Sequence, residues 1–103
     1  MKNACDMRGM LSFRILWLLS RDQMHGDQLA NELGKKRGNK LKAGTIYPAL
    51  KALKSKGLIR GEKKGKTIVY SLTPEGKKVI NSSCEYFCKM FQEIFDSYKK
   101  KSK

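Results

Sequence analysis

Acidic residues are scarce in this sequence. Nine Asp and Glu stand against 23 Lys and Arg, a formal charge of +14. So large an excess points to a polyanionic partner: nucleic acid first, an anionic membrane surface second, an acidic protein third. Histidine is nearly missing, with His25 alone, which leaves little material for acid–base catalysis. No P-loop, glycine-rich dinucleotide turn or nucleophile–base–acid set occurs, so an enzyme is not expected and no cofactor is implied. Cysteine is limited to Cys5, Cys84 and Cys88. That odd, small number excludes a disulfide scaffold and suggests a reducing, cytoplasmic setting. No run of about 18 apolar residues exists, so nothing is expected to span a bilayer. Met10 to Leu19 is apolar, but Arg14 interrupts it and no small-residue cleavage site follows. It reads as a buried helix rather than a signal peptide.

What is present fits one small domain. The chain has 103 residues, 40% of them hydrophobic, enough for a small core and too many for general disorder. The positive charge is segregated. Residues 1–34 carry no net charge, whereas residues 35–66 hold twelve of the basic residues and one acidic residue, Glu62. The middle third is therefore the candidate contact surface.

The apolar residues of Met10 to Arg21 cover most of a helical circumference, so this helix is expected to be buried on more than one side. Met24-His25-Gly26 breaks it, with His25 as a turn or cap residue. Asp27 to Leu33 reads as a second helix, with Asp27 favouring its N-terminus and Gly34 in a C-terminal cap position. A basic connection with a Gly38-Asn39 turn signal leads to a third helix, roughly Gly44 to Lys56, ended by Gly57. Ile46, Leu50 and Leu53 mark its core face. Leu58–Lys63 and Thr67–Leu72 read as two strands joined through Lys64-Gly65-Lys66. Thr73-Pro74-Glu75 is a helix start, and the last helix can run to about Lys99, roughly 39 Å. The expected architecture is mainly α with a small β-hairpin: a winged helix-turn-helix over residues 8–73, a C-terminal dimerisation helix over 74–99, and a basic tail over 99–103.

A winged helix reads DNA by placing its third helix in the major groove. The face opposite Ile46 holds Gly44, Pro48, Lys51 and Ser55, flanked by Thr45, Tyr47 and Ala52. Small residues let the helix backbone approach base edges. Lys51 can reach a guanine edge or a phosphate, and Thr45 and Tyr47 can donate to phosphates near the helix N-terminus. Lys42, before the helix, and Lys63, Lys64 and Lys66, in the hairpin, complete the candidate DNA-binding set. Two plainer readings stay open. Lys51, Lys54 and Lys56 could form a solvated face, and Tyr47 could be a packing residue at the edge of the core.

The sequence resembles the PadR family of transcriptional regulators. The resemblance rests on His25-Gly26, on Gly44-Thr45-Ile46-Tyr47-Pro48-Ala49-Leu50, on Lys56-Gly57-Leu58-Ile59 and on Val69-Tyr70-Ser71-Leu72-Thr73-Pro74-Glu75-Gly76. It covers about residues 8–99 and is closest to the short type with a single C-terminal helix. It implies a homodimeric, usually repressing regulator of double-stranded DNA, released in some members by a small molecule. A Tyr and a Glu commonly follow His-Gly in the family; Asp27 and Gln28 stand there in this chain.

Ile80, Cys84, Phe87, Phe91, Ile94 and Tyr98 are spaced 4, 3, 4, 3 and 4, a heptad seam expected to dimerise. Val79, Cys88, Met90 and Phe95 widen it. The first helix is the natural second contributor. Trp17, Phe87, Phe91 and Phe95 are a candidate pocket for a small aromatic effector, although aromatic stripes at helical spacing are more often core. Cys84 and Cys88 are best read as small buried hydrophobes. A metal site with Cys5 and His25 lacks a Cys-x-x-Cys pair, and redox sensing at Cys84 is the better functional variant. The rival to a sequence-specific regulator is a sequence-nonspecific chromatin protein or an RNA-binding winged helix.

Overall fold

A computed structural model describes the backbone of residues 7–35 and 38–101, with side chains from Met10 to Lys100. The readings placed on Cys5 and on the end of the basic tail lie outside the described residues. Seven elements follow in order: α1 (Met7–Arg21), β1 (Met24–His25), α2 (Gly26–Gly34), α3 (Ala43–Ser55), β2 (Ile59–Lys64), β3 (Thr67–Leu72) and α4 (Pro74–Lys101). The fold is mostly helical with one three-stranded antiparallel sheet, ordered β1-β3-β2.

One core joins all the helices. Ile15, Leu16, Leu18 and Leu19 of α1 meet Leu29, Ala30 and Leu33 of α2, Ile46, Leu50 and Leu53 of α3, and Ile59, Tyr70, Leu72 and Ile80. The four α1 residues span a wide arc of that helix, as its composition predicts. Its outer stripe is left open, with Met10 37% and Trp17 43% exposed.

β1 was not expected from the sequence. Two residues carry no periodicity, and only the partner strand defines them: Met24 pairs with Tyr70 and His25 with Val69. His25 then caps α2. Its Nδ1 accepts from the Gln28 backbone N–H at 3.3 Å, and the His25 N–H donates to Gln28 Oε1 at 3.0 Å. This is a reciprocal capping box, a role that Gln performs as Glu does. Gly34 differs from its expected role. It closes α2 in ordinary helical conformation, and the left-handed glycines are Gly38, Gly57 and Gly65. Gly34 is small because a Cβ there would lie 1.7 Å from the Asn39 carbonyl oxygen.

The hairpin register pairs Ile59 with Leu72 through to Lys64 with Thr67. Gly65 and Lys66 form the two-residue loop. Gly65 has φ 63° while Lys66 avoids positive φ, the pattern of a type II′ turn. Alternation along the strands puts Lys63 and Ile68 on the core-facing side with Tyr70 and Leu72. Arg60, Glu62 and Lys64 face the other way.

α4 begins as the sequence predicts. The Thr73 hydroxyl accepts from the Gly76 N–H at 3.0 Å and donates to the Gly57 carbonyl at 2.6 Å. It therefore caps α4 and ties that helix to the end of α3. Thr73→Ala removes both bonds, and should lower unfolding free energy by about 1–2 kcal/mol in urea denaturation. An unchanged midpoint would mean that water replaces both bonds at no cost. Gly76 allows the helix to sit on the chain, since a Cβ there would lie 2.0 Å from the Leu58 carbonyl oxygen.

Candidate nucleic-acid interface

α3 is anchored by its apolar face and presents the opposite one. Ile46, Leu50 and Leu53 are 1–3% exposed, whereas Gly44, Thr45, Tyr47, Pro48 and Lys51 are all exposed. The start of the helix is electrostatically open. Lys42 occupies the N-cap without a side-chain capping bond, and no acidic residue stands in the first turn. Its free N–H groups suit an anion. Pro48 lies one turn further in than a first-turn proline. It removes the helical bond to the Gly44 carbonyl on the exposed side. Nothing lies within 4 Å of a Cβ built on Gly44, and its φ is ordinary. No contact among the described residues explains a glycine there.

Tyr47 serves two neighbours. It is 46% exposed, yet its ring lies over Gly26, where an added Cβ would meet the hydroxyl at 2.7 Å. Part of the ring therefore packs on α2, and the rest of its surface is exposed. A shallow groove of about 380 Å³ runs beside it, lined by Tyr47, Lys51, Lys54, Ser55 and Tyr70. Lys54 and Tyr70 were not in the candidate set. Tyr70 reads in sequence as a core strand residue, and only the tertiary fold brings it to a groove lined mainly by α3.

The wing lysines separate. Lys63 is on the side of the hairpin that faces the core and α3, Lys64 is on the opposite side, and Lys66 is at the turn. All are exposed, and none forms an ion pair among the described residues. The segregated charge of the middle third is partly answered by the neutral first third. The Lys40 ammonium donates to Asp27 at 2.6 Å, and Lys35 meets Glu32 at 3.0 Å. The hydrogen bond from Lys40, and its charge, hold the Asp27 carboxyl below the usual carboxylate value. α3 and the wing keep their cations free of such partners.

The residues expected to dimerise divide into two groups. Ile80 is 3% exposed inside the core of its own chain, so it has no surface left for a partner. Cys84 packs half-buried against that core. The Phe87 ring meets Phe13 of α1 edge-on at 4.6 Å. Further along α4 the cover falls away. Phe91 is half-buried, while Ile94, Phe95 and Tyr98 are 51%, 58% and 71% exposed. The reason is length: α1 has 15 residues and α4 has 28, so α1 covers only the first half of the seam.

The aromatic residues suggested as an effector pocket are not gathered within one chain. Phe87, Phe91 and Phe95 stack in line at 5.7 and 6.3 Å. Trp17 does not join that stack. It carries the Arg21 guanidinium 5.1 Å above its ring. Cys88 is exposed. Among the described residues, no cluster of three or more His, Cys, Asp or Glu could hold a metal, and no helix is long and apolar enough to cross a membrane.

A helix-turn-helix with its third helix presented and a basic hairpin beside it defines a winged helix-turn-helix protein. The PadR-like family of transcriptional regulators matches residues 15–82, and the chain belongs to that family. Solved structures agree. A transcriptional regulator from Clostridium thermocellum has a TM-score of 0.75 at 23% identity, over 94% of this chain and 97% of that one, a likeness of fold alone. RosR of H. salinarum has a TM-score of 0.74 at 28% identity, over 86% and 81%. A PadR family transcription regulator from Clostridium difficile has a TM-score of 0.72 at 25% identity, over 87% and 98%. An uncharacterised 37.1 kDa protein in transposon TN4556 of Streptomyces fradiae is 27% identical over 84 residues. The chain spans only 24% of the length of that curated relative.

Proposed function

We propose that this chain is a sequence-specific reader of double-stranded DNA that works in the cytoplasm as a homodimeric repressor. Residues 8–73 form the reading head and the later part of residues 74–99 joins two copies. The observation that carries the reading is the outer face of α3. It offers a glycine that no internal contact explains, an uncapped helix start, and Lys51 beside unpaired wing lysines. Two such heads on a two-fold axis would enter major grooves one turn apart, about 34 Å. Release by a small aromatic effector fits the Phe87–Phe91–Phe95 ladder once a partner covers it, with Trp17 at the margin.

Selection of bound duplex from a random pool tests this. The expected result is a palindrome with half-sites about ten base pairs apart, bound on the order of 10³-fold more tightly than random duplex. An absence of any enriched motif would favour a chromatin or RNA-binding protein instead. The lysines should then divide by role. Lys51→Ala should weaken the selected site more than random duplex. Lys64→Ala should weaken all duplexes alike and lower the salt slope by about 0.9. Identical behaviour of the two variants would remove Lys51 from base reading.

A further inference from the structure

We propose that the groove between α3 and β3 is a seat for one phosphodiester group of the DNA backbone, with the Tyr70 hydroxyl as its inner donor. The proposal rests on the DNA reading above and assigns a contact to the wall of the wing domain rather than to its tip.

Tyr70 is an unusual core residue. It is 7% exposed, its ring lies over Gly61, and it pairs with that glycine in the hairpin register. Yet its hydroxyl makes no hydrogen bond among the described residues. No fully buried side-chain oxygen or nitrogen lacks a partner among them, so this hydroxyl must reach solvent. The opening available to it is the groove that Tyr70 helps to line. A donor at a surface opening whose only partner is solvent is available to an acceptor that displaces that water.

The other lining groups match that donor. Tyr47, Lys54 and Ser55 add two hydroxyls and one ammonium group, and Lys51, assigned above to base reading, lines the same opening; none of these is bonded elsewhere among the described residues. No carboxylate of the described residues lines the groove. Three neutral donors and the Lys54 cation line one opening, which suits an oxyanion that only accepts hydrogen bonds. Burial first, and then Tyr47, push the Tyr70 hydroxyl above its ordinary tyrosine value, so it stays protonated and able to donate. Spacing supports the same picture. Residues 47, 51, 54 and 55 share one face of α3, next to the exposed residues that would read bases. A phosphate held there would fix the depth and register of α3 in the groove.

The experiment compares Tyr70→Phe, Lys54→Gln and the unaltered protein on a random-sequence duplex across a range of salt. Tyr70→Phe deletes an oxygen that bonds nothing in the chain, so thermal unfolding should be unchanged or slightly higher. Duplex affinity should fall about tenfold, on every sequence alike, with the salt slope unchanged because no charge is lost. Lys54→Gln sits on the exposed face and cannot disturb the core. It should lower affinity and reduce the salt slope by about 0.9. Wild-type duplex affinity in Tyr70→Phe overturns the proposal, as does an unaltered slope in Lys54→Gln. A parallel titration with inorganic phosphate separates the two sources of the group. Saturable phosphate binding that needs Tyr70, beside duplex binding that does not, would make this a free-phosphate site and overturn the DNA assignment. If the chain does not bind duplex DNA at all, the failure looks different: the unaltered protein itself would show no salt-dependent duplex binding.

Discussion

Ile94→Asp combined with Phe95→Asp is expected to leave each subunit folded, to halve the mass in sedimentation, and to remove tight binding to a palindromic site. The two residues are chosen because they lie outside the subunit's own core, being 51% and 58% exposed at the far half of α4. Phe87 would be a poor target, since it packs on Phe13 within the same subunit. A partner covering Phe91, Ile94, Phe95 and Tyr98 gains roughly 1.5–3 kcal/mol for each buried side chain. Two carboxylates placed in that seam would have to lose their water without a counter-charge. Separated heads then bind half-sites independently. The loss of linkage alone should weaken the full site by about 10²- to 10⁴-fold. Unfolding of each subunit should be little changed, because Ile80 and Phe87 still dock α4 on the core. A mass that remains that of two subunits would move the interface away from the end of α4.

Two glycines should respond to the same substitution in opposite ways. Gly34→Ala is expected to be the more damaging change to stability. Its Cβ would lie 1.7 Å from the Asn39 carbonyl oxygen and 2.9 Å from the Lys40 Cα. These are backbone atoms that no rotamer change can move. The Asn39 N–H donates to the Gly34 carbonyl at 3.2 Å, and the Leu41 N–H to Ala30 at 3.1 Å. Displacing this connection would lift Leu41 from the core and shift the start of α3. A loss of about 3 kcal/mol or more is expected in urea denaturation, at the upper end for overpacking. Gly44→Ala meets nothing and replaces glycine in a helix, so stability should rise by up to about 1 kcal/mol. DNA affinity should nevertheless fall, because the methyl group stands between the helix backbone and the base edges. If Gly44→Ala binds its selected site as tightly as the unaltered protein, the helix does not approach through that residue.

Much of the fold was legible in the chain itself, for local reasons. Ile46, Leu50 and Leu53 announce one helix face, and Thr73-Pro74-Glu75 announces the next helix start. Gly57 marks a helix end and has φ 75°. Each of these signals lies within one or two turns of backbone. The rest depends on how the chain folds back on itself. Gly34 reads as a cap because it ends a helix, but its size is set by Asn39, five residues on in the connection to α3. β1 escaped notice because its two residues gain meaning only from Val69 and Tyr70. The candidate interface divides in the same way. Gly44, Tyr47 and Lys51 follow from helical spacing, whereas Tyr70 enters the groove only through the tertiary fold.

The scarcity of acidic residues points to a polyanion, and the clustering of basic residues in residues 35–66 points to the part that would meet it. Composition and periodicity alone determined that much, because charge counts and helix faces are properties of neighbouring residues. Tertiary structure decided which charges are available. Asp27 meets Lys40 across the connection after α2, whereas Glu32 and Lys35 pair locally at i,i+3; among the described residues the lysines of α3 and the wing have no such partner. It also cut the heptad seam in two, since α1 is too short to cover α4. Both outcomes depend on which distant segments share space, and that is set by packing a single core rather than by any local run of residues.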